Sequence, residues 1–302
     1  MDGSLIDAAG LRLRVLEIGA GPLPPVLLVH GVGGWAENWA EVMPLLAADG
    51  RRVVAFDLPG FGDSERPASP DYFGEPSFYA TIVDAVRARL GLERPHLIGH
   101  SLGGGIAFVS AVSHPDRYRS LTLAAPGGLG SDIALFLRLM SLPGAFLVAG
   151  RGDPRKKARH LVRTCFVDGT RVPPHLLSEA ERYAGTYHES LRVMRAVATM
   201  RGLRPAVRQR WITRSSEYRG PALIVWGRGD AVVPNDHAAA AAAVLPQAAL
   251  ELIDGAGHLV MSERPEEFAA VVRPFLQRAE RGTGPARTMG RDVTDGGADE
   301  DP

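Results

Sequence analysis

Three short stretches of this 302-residue chain hold the residue types from which acyl-transfer chemistry is built. Gly99-His100-Ser101-Leu102-Gly103 is a G-x-S-x-G sequence between an apolar run that reads as a strand, His96–His100, and one that reads as a helix, Leu102–His114. A serine at such a crossing sits on a sharp, strained turn that lifts its hydroxyl out of the backbone. Gly99 and Gly103 leave room for the crossing, and the following helix aims its N-terminal N–H groups at the serine. Trp226-Gly227-Arg228-Gly229-Asp230 ends another apolar run, and a carboxylate at a strand's C-terminal edge can orient an imidazole. Gly255-Ala256-Gly257-His258 follows a further strand-like run and places a histidine in a glycine loop. The predicted set is Ser101 as nucleophile, His258 as base and Asp230 as the acid that holds the base. Asp254 is nearer to His258 in sequence, but a group in the histidine's own short loop would have to fold back to reach the imidazole.

Ser101 needs N–H donors for the oxyanion that its attack creates. One is expected from Leu102, the residue after the serine. The other is expected from His30-Gly31-Val32-Gly33-Gly34, which follows the apolar run Val26–His30, and most simply from Val32. Gly31 lets this loop approach the substrate closely. His30 is expected to be structural beneath it. His96, His114, His160, His175, His188 and His237 read as surface residues on element edges. A second Gly-Arg-Gly-Asp, at Gly150–Asp153, has no strand before it and reads as a coincidental loop.

The elements that must position these residues follow one rhythm. Ser4–Ile6 and Leu11–Ile18 flank a turn and read as an antiparallel hairpin. Buried strands are expected at Val26–His30, Arg52–Asp57, His96–His100, Ser120–Ala125, Ala222–Trp226 and Ala249–Ile253. Helices are expected at Asn38–Ala48, Phe78–Leu90, Leu102–His114, Asn235–Val244 and Pro265–Glu280. Such alternation gives an α/β fold, a mostly parallel central sheet with helices on both faces. Between Pro126 and about Gly220 only helical patterns occur, so residues 126–220 are expected to form a helical cap inserted into a core of 1–125 and 221–281. Within the cap, Ile133, Phe136, Leu137 and Met140 form an apolar face, continued by Leu142, Phe146 and Leu147. Phe136 and Met140 are candidate contacts for a hydrophobic substrate. Arg151, Arg155, Lys156, Lys157 and Arg159 read as a solvated helix face. Residues 282–302 are polar and Gly-rich, and are expected to be disordered.

Composition narrows the function class. Basic and acidic residues balance at 34 each, which gives no general attraction to nucleic acid. The single cysteine, Cys165, excludes an intrachain disulfide and a cysteine-rich metal site. No apolar tract is long and unbroken enough to span a bilayer, and Met1-Asp2-Gly3-Ser4 does not begin a visible signal peptide. The expectation is a cytoplasmic protein without stable membrane insertion, acting on a small hydrophobic molecule with neither metal nor organic cofactor. Its oligomeric state is open.

The joint order Ser101, Asp230, His258 resembles the α/β-hydrolase fold family, in its serine-nucleophile branch with a helical cap after the sixth core strand. Asp57-Leu58-Pro59-Gly60-Phe61-Gly62-Asp63-Ser64 resembles that family's D-x-P-G-x-G-x-S loop, with an implied structural role at the mouth of the site. The run from His258 to Phe268 resembles the family's segment after its histidine. The resemblance implies two-step acyl transfer on a largely hydrophobic carboxylic ester or thioester. A C–C bond hydrolase or lyase, an acyltransferase, and a non-catalytic ligand-binding member of the fold are the alternatives. Serine at the elbow speaks against the branches that use aspartate there. Leu259, where C–C hydrolases of aromatic breakdown tend to carry an aromatic residue, lowers that option.

Overall fold

The computed structural model describes residues 3–68, 76–145 and 152–282. An antiparallel hairpin, β1 (Ser4–Ala8) and β2 (Leu11–Ile18), leads into β3 (Leu23–Val29). A 3-10 turn (Ala36–Trp39) and α1 (Met43–Ala47) precede β4 (Arg51–Phe56). Then follow α2 (Pro76–Arg89), β5 (His96–His100), α3 (Leu102–Ser113) and β6 (Ser120–Ala124). The sheet order is β1-β2-β4-β3-β5-β6 and, after a long excursion, β9 (Ala222–Gly227) and β10 (Ala249–Ile253). β1 and β2 run antiparallel to each other, β2 runs antiparallel to β4, and every later pairing is parallel.

The expected fold class is the one observed, with helices on both faces. Alternate side chains of β3 show why: Leu27 and Val29 pack with Ile82 and Val86 of α2 and Phe108 of α3, while Val26 and Leu28 pack with Met43 and Leu46 of α1. Every residue of β5, β6 and β9 is buried, as expected for strands covered on both sides.

The excursion between β6 and β9 contains α4 (Leu135–Met140), α5 (Pro154–Thr164), α6 (Pro174–Arg182), α7 (Tyr187–Val197) and α8 (Pro205–Ser215). Since β6 and β9 are adjacent in the sheet, this segment is an insertion between neighbouring strands. The remaining helices are α9 (His237–Val244), α10 (Val260–Glu263) and α11 (Pro265–Glu280). Among the described residues no helix is long and apolar enough to cross a membrane.

Several expectations need correction. The single helix Asn38–Ala48 is instead a 3-10 turn and the short α1, which has Pro44 in its first turn. Proline has no N–H to return to the preceding turn, so it starts a helix better than it continues one. The insertion is not wholly helical: β7 (Ala198–Thr199) and β8 (Gly202–Leu203) form a two-residue ladder closed by Gly202 at φ +107°. Such a ladder is too short to leave a periodic signature. β3 begins at Leu23, before the run Val26–His30, and its register shifts between Leu23 and Val26, across Pro24 and Pro25. His96 and His237 are buried rather than at the surface, because central strand β5 and the first turn of α9 both face packed layers. Phe146, Leu147, Arg151 and the tail beyond Gly282 lie outside the described residues.

Candidate active site

Ser101 occupies the turn between β5 and α3 with φ 52° and ψ −117°, a conformation that non-glycine residues avoid. The surrounding hydrogen bonds hold it there. The Ser101 amide donates to the Ala124 carbonyl at 3.0 Å, and the Ser101 carbonyl accepts from Gly104 at 3.0 Å and Gly127 at 3.1 Å. A Cβ on Gly99 would collide with the Gly103 carbonyl, and one on Gly103 with the carbonyls of Val29 and His30. The two glycines are therefore what allows β5, α3 and β3 to meet this closely.

Asp230 and His258 arrive on loops after β9 and β10, neighbouring parallel strands. His258 Nδ1–H donates to Asp230 Oδ2 at 2.7 Å. The same oxygen accepts from Trp226 Nε1 at 3.1 Å, and Oδ1 accepts from the amides of Val232 and Val233 at 2.8 and 2.9 Å. A buried carboxylate that accepts from four donors is fixed in place. The bond to Nδ1 sets the tautomer that leaves His258 Nε2 as an acceptor. Ser101 and His258 line one cavity, and among the described residues no hydrogen bond joins the serine hydroxyl to the imidazole. Such bonds are often long before substrate binds. Asp254 is turned to solvent, its side chain 84% exposed, and pairs with Arg228 at 2.6 Å.

His30 Nε2 accepts from the Leu58 amide at 2.9 Å, and its Nδ1–H donates to the Gly31 carbonyl at 2.7 Å. Burial pushes its pKa down to about 4, so it is a neutral strut under the Gly31–Gly34 loop. A Cβ on Gly31 would lie 2.9 Å from Ser101 Cβ, which shows how closely this loop approaches the serine. Val32 lines the cavity; Leu102 does not, but it opens α3 directly after Ser101. Among the described residues neither the Val32 nor the Leu102 amide donates to another protein atom. Both are therefore available as oxyanion donors.

The cavity measures about 510 Å³, and its wall is largely apolar, with Trp35, Phe136, Leu137, Met140, Leu161 and Val162 among its residues. Gly31, Phe136 and Met140, nominated from sequence as substrate contacts, all lie on it. Arg155 and Lys157 do too, so the basic stretch on α5 is not only a solvated face. Asp153 also reaches the wall and caps α5 by accepting from the Arg155 amide at 2.9 Å. That gives the second Gly-Arg-Gly-Asp a local role. Among the described residues no group of three or more His, Cys, Asp or Glu is placed to hold a metal ion.

Sequence reasoning gave the Asp57–Ser64 loop only an implied structural role and gave Glu263 none, and it named no partner for the groups that tie the insertion to the site. Glu263 is buried, and its carboxylate accepts from Gly257 at 2.7 Å, Val167 at 3.0 Å and Asp168 at 3.2 Å. It thus joins the His258 loop to the segment after α5. Asp63 accepts from Tyr183 Oη at 2.8 Å and Arg182 at 2.7 Å, joining the loop after β4 to α6. Behind it, Asp57 is fully buried and accepts from the amides of Ala36 at 2.7 Å and Asp63 at 3.0 Å. Burial raises its pKa to about 6 against those bonds. His100 packs against His258 with ring centroids 4.6 Å apart and the rings tilted by 57°, and its Nε2–H donates to the His258 carbonyl at 3.0 Å. Burial, then the neighbouring His258, keeps its pKa well below the ordinary value. Glu263 and His100 were in plain view beside the motifs; only their distant partners reveal what they do.

A serine elbow over a parallel sheet, with an acid–histidine pair on the next loops, defines an enzyme of the hydrolase class. The chain belongs to the α/β-hydrolase fold family, whose model matches residues 24–265. It is 32% identical over 293 residues to a 2-hydroxymuconate semialdehyde hydrolase from Pseudomonas sp. (strain CF600), covering 92% of this chain and 95% of that protein. It is 34% identical over 275 residues to the dihydrolipoyllysine-residue acetyltransferase component of an acetoin cleaving system from Pseudomonas putida, covering 90% of this chain and 68% of that protein. Among solved structures, a mutant meta-cleavage product hydrolase from Pseudomonas fluorescens IP01 superposes with a TM-score of 0.71 at 26% identity, over 92% of this chain and 98% of that one.

Proposed function

We propose that this enzyme hydrolyses a small to medium, largely hydrophobic carboxylic ester or thioester through an acyl-enzyme on Ser101. The observation that carries this reading is the Asp230–His258 bond of 2.7 Å beside an apolar cavity that also holds Ser101. Ser101 Oγ attacks the carbonyl carbon while His258 Nε2 takes its proton. Asp230 holds the ring and stabilises the imidazolium. The amides of Val32 and Leu102 receive the oxyanion, each worth on the order of 10²–10³ in rate. His258 returns the proton to the leaving alcohol or thiol, and water then cleaves the acyl-enzyme by the same steps. Residues 126–220 act in this reading as a cap that selects an apolar guest, over a core of 1–125 and 221–281. No cofactor takes part.

A second reading, hydrolysis of a C–C bond beside a ketone, is favoured by the names of the hydrolase relatives. Leu259, a cavity residue directly after the histidine, weighs against it. Pre-steady-state mixing with p-nitrophenyl butyrate separates the readings. A burst of p-nitrophenol, with the butyryl group recovered on a Ser101 peptide, supports the ester reading. Absence of a burst, together with cleavage of 2-hydroxymuconate semialdehyde, overturns it in favour of the second.

A further inference from the structure

Six large apolar side chains are exposed among the described residues, and five of them lie on the insertion: Val167 beside the His258 loop, and Leu135 at 63%, Leu139 at 46%, Leu142 at 37% and Met200 at 40% around α4 and the β7–β8 turn. Leu135 and Leu139 are one helical turn apart on α4, and the Leu142 amide donates to the Leu139 carbonyl, so the turn continues through it. The other side of α4, with Phe136, Leu137 and Met140, forms cavity wall above Ser101. One short helix thus has an inner apolar face toward the site and an outer one toward solvent.

The outer face is bordered by positive charge. Leu142 and Met200 share an open hollow of about 680 Å³ with Arg192, Arg195 and Arg204, and Arg201 follows Met200 in the β7–β8 turn. Arg192 is paired with Glu189 at 3.5 Å, and Arg138 on α4 with Asp132 at 3.1 Å. Arg195, Arg201 and Arg204 are exposed, and none has an ion-pair partner among the described residues.

We propose that this face docks on an anionic lipid surface, with the leucines and Met200 entering the headgroup–acyl boundary and the arginines meeting lipid phosphates. Apolar side chains beside unpaired cations match that boundary in both of its properties. The charge also argues against a second copy as the occupant. A two-fold contact through this face would place the three guanidiniums of each copy in one shared, desolvated border. Docking would put α4 at the membrane and the apolar cavity directly beneath it, so that a hydrophobic substrate reaches the site from the lipid.

The test is co-sedimentation of the purified protein with vesicles of phosphatidylcholine alone, or of phosphatidylcholine mixed with phosphatidylglycerol, at low and high salt. The expected result is binding to the mixed vesicles that weakens severalfold in high salt, and little binding to the neutral ones. Arg195→Gln with Arg201→Gln should weaken it by roughly fivefold for each charge removed. Leu135→Ser with Leu139→Ser should weaken it at both salt concentrations. Melting temperatures close to that of the wild type show that the variants are folded. No binding by the wild type, or equal binding by the wild type and both folded variants, overturns the proposal. So does a stable dimer in sedimentation velocity that the leucine variant converts to monomer without any vesicle binding.

Discussion

The central strand β5 has a histidine at each end, and each end gathers a serine and a carboxylate around a histidine. At the C-terminal end stand Ser101, His258 and Asp230, with His100 packed against the imidazole. At the N-terminal end, Ser120 Oγ donates to His96 Nδ1 at 2.7 Å, and His96 Nε2–H donates to Glu280 Oε1 at 3.1 Å. By residue type and hydrogen bonding alone, the second set is the more complete, since its serine already touches its histidine. Its serine, however, opens β6, outside any positive-φ turn, and is fully buried, and neither of the two cavities described above reaches it. Glu280 is bound to Arg51 as well, so the set closes the end of α11 onto the sheet. A nucleophile needs more than an activating base. It needs an elbow that presents its oxygen, amides without partners for the oxyanion, and space for a substrate, and only the Ser101 end has them.

The comparison is broken most directly at the two serines. Under the proposed mechanism Ser101→Ala lowers kcat by at least about a thousandfold, while Ser120→Ala leaves it within about threefold; steady-state assays on one ester measure both. Comparable losses at the two positions would show that the buried set serves the reaction. The next largest effect is expected at the acid. Asp230→Asn should lower kcat by roughly 10³–10⁴, because an amide can stabilise the wrong imidazole tautomer. Asp254→Asn and Asp153→Asn should each cost less than about tenfold, or 1.4 kcal/mol. A crippled Asp254→Asn with an active Asp230→Asn would move the acid to the histidine's own loop.

Glu263 sharpens the comparison from the other side, since it is a buried carboxylate that holds a loop rather than a proton path. Glu263→Gln turns an amide group toward backbone donors. It should destabilise the fold by about 1–3 kcal/mol in urea titration and lower kcat more than it raises KM, as the His258 loop loses its tie. A stable, fully active variant would show the tie to be dispensable.

The smallest expected effect is the pH dependence of the buried set. Burial, opposed by the bond to Glu280, lowers the His96 pKa from 6.5 to about 4. The unfolded chain therefore takes up a proton first as pH falls, and stability is full above about pH 6.5 and declines toward pH 4. His30 acts in the same sense. Burial alone would raise the Glu280 carboxyl, but its bonds to Arg51 and His96 hold it below the ordinary value, so its contribution too is lost in acid. Asp57 works in the opposite sense, because its raised pKa of about 6 lets the folded state bind a proton as pH falls below 6. The net expectation is a melting temperature that falls between pH 6.5 and 4, and less steeply in His96→Asn. An unchanged slope in that variant would remove His96 as a source of acid sensitivity.

The local chemistry and the sheet rhythm are legible in the residues themselves. The glycines around Ser101 are legible because a tight crossing admits no other residue, and the strand ends at Ile253 and, to within one residue, at Gly227 are legible because apolar runs stop there. The sequence also favoured Asp230 over Asp254, because neighbouring strand ends bring side chains together more readily than one short loop does. What His96, Glu263 and Asp63 hold together follows from long-range packing. Their partners lie 24 and 184 residues away for His96, 96 for Glu263 and 120 for Asp63. No local pattern encodes such pairs. Periodicity reports which face of an element is apolar, whereas a buried polar group is explained by whichever distant donor the packing delivers to it. The same limit hid the outer face of α4: the helical spacing picked out Phe136, Leu137 and Met140, which line the cavity, but it gave Leu135 and Leu139 no place and read Leu142 as part of the inner face, whereas packing leaves all three in solvent.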